Sequence, residues 1–417
     1  MSGISWICFS ICVCLLLSLF RHGGDPLSPS RIFGFIWSLS IGLADLKFSA
    51  YQQTWSTTGW MLLLIAVFAF LVGTFAVYVL NLKRNLKPIP IMRELLGKEQ
   101  VKENRLFWLT CVVFVVYVVS YVINYVVKGW LPIEASAKNL SRVDFNVTGL
   151  TFLIYLVPAI MFFITLYFIK VSGKKVKKII LVLLGTITLF SFLLFVSRFQ
   201  IIFAFVLCGT LLYYGTHYIR PRTALMMATG VVAFFFWISS IRLSKFVALF
   251  LYYHSRMNFP KAYAFFTEPY MYFVMNLENF VRAANQLDYH TYGYYTFDFI
   301  TAAAGLKYSL YEYFNLNRHP FLISGYNTYS AFWSFYCDFG VVGLALIPFL
   351  LGFGVGLLYY RMRSAPTIKN VTAYGIMIFV VAFTFFVFPL SFLWFEFDLL
   401  VIYVTLRWTI VRPAMVC

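Results

Sequence analysis

Runs of apolar residues long enough to cross about 30 Å of hydrocarbon as a helix recur along this chain, and no other feature restricts its fold as strongly. They are Ile4 to Phe20, Ile32 to Leu46, Trp60 to Leu80, Leu106 to Val127, Leu150 to Ile169, Ile179 to Val196, Phe199 to Gly215, Thr223 to Ile241, Phe339 to Tyr360, Val371 to Phe388 and Leu390 to Thr409. The second is short for a span and is closed by Asp45 and Lys47. Lipid cannot satisfy free backbone N–H and C=O groups, so closed helices are the expected solution. The sequence therefore predicts an all-α polytopic membrane protein with about 11 transmembrane helices. At 62% hydrophobic and 12% charged residues, the chain lies outside the composition of soluble domains.

A formal charge of +18 would point to nucleic acid in a soluble protein, but its distribution here is topological. Of the 33 Lys and Arg residues, 21 fall in alternate connections and the C-terminal end, and 12 on the opposite side. Short basic loops stay in the cytoplasm, so the N-terminus is expected outside and the C-terminus inside, with no nucleic-acid partner. The chain then divides into an N-terminal bundle (1–241), a large outward loop (242–338) and C-terminal helices (339–417). The longest inward connection, Asn81 to Arg105, carries no glycine-rich phosphate loop, which disfavours a nucleotide-driven pump. Seven cysteines without a CxxC pair read as small buried hydrophobes, not as a disulfide framework or metal site. No cleavable signal sequence is evident.

The outward loop is too long for a connector and too apolar for a disordered linker, so it should be structured. Phe246 to Tyr253 is too short to span and is expected to lie along the interface. Farther on, Tyr270, Val274, Leu277 and Val281 recur at helical spacing, while Glu278, Arg282 and Asn285 form a polar face. This pattern predicts an amphipathic helix on the membrane edge.

Residues able to carry chemistry gather at the outer boundary. Arg198, in the SRFQ between two apolar runs, suits either a bidentate phosphate clamp or a snorkelling anchor, and Arg242 has the same two readings. Arg318 and His319 open a polar segment leading into a membrane helix; His319 is a candidate base or phosphate donor, or a surface histidine. Asn327, Thr328 and Tyr329 add hydrogen-bonding groups, and Asp338 reads as a base or as the N-cap of the span that follows. Glu278 is a further candidate base, and Arg282 one of several loop cations. Gly352 and Gly356 form a GxxxG suited to close helix packing. Glu396 and Asp398 are intramembrane acids, expected to pair with an arginine such as Arg198 or Arg242. Histidine spacing gives no metal site, and no cofactor is called for.

From Ser197 to Gly356 the order of features, with SRFQ entering a span, YGYYTFDF in the loop and GYNTYSAFWSFYCDFGVVG entering another span, resembles the Wzy-type oligosaccharide repeat-unit polymerases of O-antigen and capsule synthesis. The resemblance implies a GT-C-like inner-membrane glycosyltransferase whose large loop and active site face the periplasm. It implies a glycan carried on undecaprenyl pyrophosphate as substrate, with a chain-length regulator and a flippase as further partners beside the membrane lipids. Arg198, Arg242 and Arg318 would hold pyrophosphate or glycan, with Arg282, Asn327 and Tyr329 beside them, and His319, Asp338 or Glu278 would supply a base. The rival readings are a ligase acting on the same carrier and a non-enzymatic flippase or transporter.

Overall fold

The computed structural model describes residues 3–20, 25–134, 145–147, 149–195, 197–219, 245–314, 326 and 328–411. In chain order its helices are α1 (Gly3–Leu17), α2 (Pro29–Asp45), α3 (Thr57–Leu80), α4 (Ile89–Lys98), α5 (Glu103–Lys128), α6 (Val157–Lys170), α7 (Lys175–Leu194), α8 (Phe199–Gly215), α9 (Lys245–His254), α10 (Thr267–Ala284), α11 (Asp298–Ala303), α12 (Lys307–Tyr313), α13 (Ala331–Ser364), α14 (Ile368–Phe383) and α15 (Leu393–Thr409). No strand occurs among the described residues, only isolated bridges such as Ser49 to Met257. Among the described residues five helical stretches are long and apolar enough to cross a membrane: Thr57–Leu80, Glu103–Glu134, Thr151–Lys170, Lys175–Leu194 and Ala331–Ser364. The runs at Gly3–Leu17, Phe199–Gly215 and Ile368–Phe383 form shorter apolar helices. The expected span Thr223 to Ile241 lies outside the described residues.

The chain separates into two compact units, each assembled from stretches distant in sequence. The first comprises Met1–Asn85, Pro221–Tyr360 and Val380–Ser391. Here α1 and α2 form a hairpin in which the Asp45 carboxylate accepts from the Ser5 amide at 3.0 Å. Ser56 caps α3 by accepting from Gly59 N at 3.1 Å, satisfying an otherwise orphaned donor. Glycines let α3 approach the second half of α13 backbone to backbone. A Cβ on Gly73 would overlap the Phe349 carbonyl, and one on Gly352 the Phe70 carbonyl; at Gly356 it would stand 3.1 Å from the Val77 side chain. The GxxxG thus packs as its spacing predicts. Trp37 stacks on Phe332 at 4.2 Å and donates to Thr384 Oγ1 at 2.9 Å, while Ala331 N donates to the Thr384 carbonyl, fixing where α13 begins.

α13 is not one rod. Gly340 has φ 62° and ψ −148°, a conformation open essentially to glycine alone, so the helix breaks there into 331–339 and 341–364. Past the break the chain turns so sharply that a Cβ on Gly343 would collide with the Phe335 carbonyl. The expected start of this span at Phe339 is therefore corrected: helix begins eight residues earlier, as a short segment that folds against the span proper. Glycine is required at 340 for the turn and at 343 for the close approach.

The second unit comprises Leu86–Arg220, Arg361–Phe379 and Phe392–Cys417. Near its start lies α4, whose Met92 and Leu96 are buried. The Arg93 guanidinium donates to the Tyr213 carbonyl at 2.9 Å and the Ile219 carbonyl at 2.7 Å, capping the C-terminal end of α8. Glu99 accepts from Ile368 N at 2.6 Å, and burial raises its carboxyl above the usual range. Six of the seven cysteines are described as free: Cys8, Cys12 and Cys337 are buried, Cys111 and Cys208 half-buried, and Cys14 exposed.

Candidate functional site

Helix α10 organises the first unit. Tyr270, Val274, Leu277 and Val281 are buried, as their spacing predicts, but so is much of the opposite side, with Asn276 1%, Glu278 3% and Asn279 0% exposed. Of the polar face expected at Glu278, Arg282 and Asn285, Glu278 is thus corrected to a buried position. Distant segments supply partners for its polar groups, leaving Arg282 and Asn285 exposed.

Glu278 is engaged from below by the loop after α2. Lys47 Nζ donates to its Oε1 at 2.7 Å and Gln52 Nε2 at 3.2 Å. Lys47 adopts φ 50°, the left-handed region that costs a non-glycine residue free energy, and its ammonium lies 4.8 Å from the Trp55 ring centroid. Tyr270 OH completes the network, donating to Gln52 Oε1 at 2.7 Å while accepting from Phe48 N at 3.1 Å. Burial pushes the Tyr270 phenol up, with the Glu278 and Asp45 carboxylates adding to the shift, which keeps it a donor. Lys47→Met should lower stability by about 1.5–3 kcal/mol, the worth of a charged hydrogen bond. Glu278→Gln added to it should cost less than the two single losses combined, as a double-mutant cycle of thermal unfolding would read.

From its other side α10 fastens the polar segment before α13. One amide, Asn279 Nδ2, donates to both the Tyr326 and Thr328 carbonyls at 2.9 Å, and the Thr328 hydroxyl donates to Asn276 Oδ1. Tyr329 stacks on Trp333 at 4.9 Å, and burial raises its phenol.

Asp338 is fully buried. Its Oδ1 accepts from the Thr291 hydroxyl and from Tyr295 N at 3.2 Å, its Oδ2 from Thr296 N at 2.6 Å. The carbonyls freed by the break in α13 are also taken by this turn: Thr291 N donates to Cys337 O at 3.0 Å and Tyr292 N to Asp338 O at 3.2 Å. The carboxylate therefore holds the turn Thr291–Thr296, not the first turn of the following helix as the N-cap reading had it. Beside it, His290 is exposed, with Nδ1 at 3.2 Å from the Cys337 carbonyl and its ring edge against Gly340.

Glu278, Arg282, Tyr329 and Asp338 thus belong to the first unit; Arg198 belongs to the second, half-buried at the N-cap position of α8. Arg242, Arg318, His319 and Asn327 lie outside the described residues. Sequence reasoning passed over Lys47, Gln52, Asn276, Asn279 and His290. The signals available were a lysine ending an undersized apolar run and a histidine directly preceding TYGYYT. Asp398, in α15, is fully buried and has no hydrogen-bond partner among the described residues, so the expected pairing with Arg198 is not formed. Among the described residues no group of three His, Cys, Asp or Glu is placed to hold a metal.

An apolar cavity of about 460 Å³ adjoins the Glu278 network, lined by Leu43, Phe48, Phe259, Tyr263, Phe266 and Tyr270 among others. Its size falls within the roughly 300–1,000 Å³ of ligand pockets. Tyr270 belongs to both, its ring walling the cavity and its hydroxyl joining the polar network.

No family model matches the chain, and no solved structure matches it. Over 196 residues, 45% of this chain, it is 28% identical to a protein of Staphylococcus aureus (strain MSSA476) given the provisional name proline/betaine transporter. The chain spans 40% of that relative's length.

Proposed function

We propose that this membrane-embedded chain polymerises oligosaccharide repeat units carried on undecaprenyl pyrophosphate, as a GT-C-like inner-membrane enzyme with about eleven spans and its active site facing the periplasm. One observation carries the reading. Two of the stretches on which the resemblance to Wzy-type polymerases rests, YGYYTFDF and GYNTYSAFWSFYCDFGVVG, meet in the first unit: Asp338 accepts from Thr291, Tyr295 and Thr296, while on α10 Asn279 donates to the Tyr326 and Thr328 carbonyls and Asn276 accepts from the Thr328 hydroxyl. Residues 300–324 separate the two in the chain, so their meeting suits a shared task.

The aromatic cavity supports a lipid-linked substrate. It offers a hydrocarbon chain an apolar wall, whereas sugar hydroxyls there would go largely unpaired at a cost of a few kcal/mol each. In the proposed reaction the growing glycan leaves its lipid pyrophosphate and joins an acceptor hydroxyl on the incoming unit. Arg198, Arg242 and Arg318 neutralise the charge developing on the leaving pyrophosphate, an effect strengthened at a partly dry boundary. Deleting the gene should leave surface glycan as a core bearing one repeat unit with no ladder on a gel. Arg198→Ala and Arg318→Ala should each abolish the ladder while the protein still inserts in the membrane; full-length chains in both would remove the arginines from this role.

A transporter is the second reading, with the partial similarity to the Staphylococcus aureus protein and the buried Asp398, which has no partner among the described residues, in its support. If the cargo is the lipid-linked glycan itself, the deletion strain carries no attached glycan at all.

A further inference from the structure

The polymerase reading requires a group that takes the proton of the acceptor hydroxyl. In the described part of the first unit, the two carboxylates considered for it are already occupied. Asp338 holds three donors, and Glu278 is bonded to Lys47 and Gln52. We infer that His290 is the proton acceptor, an assignment that rests on the polymerase reading.

The backbone fixes this histidine's position. Thr291, the next residue, donates its amide to Cys337 O and its hydroxyl to Asp338, so the chain leaving His290 is anchored directly beside the helix break. The imidazole Nδ1 lies 3.2 Å from the Cys337 carbonyl, which can only accept. Nδ1 therefore carries the hydrogen, and in the neutral ring the basic lone pair is on Nε2. The Cε1–Nε2 edge rests where Gly340 lacks a side chain: a Cβ there would stand 3.1 Å from both atoms. Gly340 thus serves twice, permitting the turn and leaving room for the ring. The Tyr336 ring stands perpendicular to the imidazole, with ring centroids 6.4 Å apart. The result is an exposed imidazole of defined tautomer and orientation, at the point where two of the resemblance motifs meet.

The step balances without a metal or redox partner. The acceptor oxygen forms a bond to the anomeric carbon of the growing chain as the bond from that carbon to the pyrophosphate oxygen breaks. The leaving pyrophosphate keeps the electron pair, the hydroxyl proton passes to Nε2, and the imidazolium returns it to water. Asp338 is then a positioning residue, acting through the turn that begins at His290.

His290→Asn separates the two roles, because the asparagine amide can still donate to Cys337 O but offers no base. With purified protein in vesicles and polyprenyl-pyrophosphate-linked repeat units, His290→Asn should lower kcat by about 100-fold or more, the usual contribution of a general base, and leave KM within about threefold. His290→Ala should be equally slow and recover about tenfold on addition of imidazole, a rescue that a purely structural histidine would not show. Retention of more than a tenth of wild-type kcat by His290→Asn, or indifference of His290→Ala to imidazole, overturns the assignment while leaving the polymerase reading intact. Wild-type protein that joins no units in the same vesicles overturns both.

Discussion

Asp338→Ala should lower the unfolding temperature of the purified protein by on the order of 10 °C and end product formation. The carboxylate is fully buried and accepts from the Thr291 hydroxyl, Tyr295 N and Thr296 N. Removing it strands three donors away from water, each costing about 1–3 kcal/mol. For a domain of 150–250 residues each kcal/mol moves the midpoint by roughly 2–4 °C, so even the low end of that range is easily measured. Asp338→Asn should lie between wild type and alanine. It keeps one acceptor oxygen but places an amide donor against a backbone donor. A thiol-reactive fluorophore is a convenient readout, since Cys337 is buried next to the altered residue and becomes reactive as the turn loosens. Asp338→Ala with unchanged Cys337 reactivity and full product length would show that the turn holds its shape without the carboxylate.

The second large effect is expected at the crossing of α3 and α13. Gly352→Val should be worse than any single aliphatic truncation in the core, because its Cβ would occupy the space of the Phe70 carbonyl and a backbone cannot swing aside as a side chain can. Overpacking a core costs about 1–3 kcal/mol when side chains absorb it, and more where the helices must separate. Gly73→Val should fail in the same way, meeting the Phe349 carbonyl. Gly354, only two residues from Gly352, has nothing within 4 Å of an added Cβ. Gly354→Ala should therefore be neutral or stabilising by up to about 1 kcal/mol through helix propensity. Thermal unfolding of the three variants side by side tests this account; equal losses at 352 and 354 would show that helix propensity, not the close crossing, sets the requirement for glycine.

The long apolar helices were legible because α3, α5 and α7 need no distant partner to declare themselves: hydrocarbon-length runs leave few alternatives to a span. The break in α13 was not. The sequence reading starts the span at Phe339 and leaves AFWSFYC outside it, and only the backbone angles at Gly340 and the crowding at Gly343 reveal a short helix folded against the span. The polar side of α10 was misjudged for a related reason. Helical spacing shows which residues share a face but not what meets it, and Glu278 meets Lys47 from 231 positions away in the chain. The same limit applies to the site. Glu278, Tyr329 and Asp338 stood out as polar groups beside apolar helices, whereas His290 and Lys47 acquire their setting only through contacts with Gly340 and Glu278 made by folding.

The most direct measurement is to reconstitute the purified chain in vesicles with repeat units on undecaprenyl pyrophosphate and resolve the products by size. The account predicts a ladder of multiples, with free undecaprenyl pyrophosphate released in step with each unit added. Repeat units that remain single, in vesicles that accumulate proline or betaine in a protein-dependent manner, would contradict it.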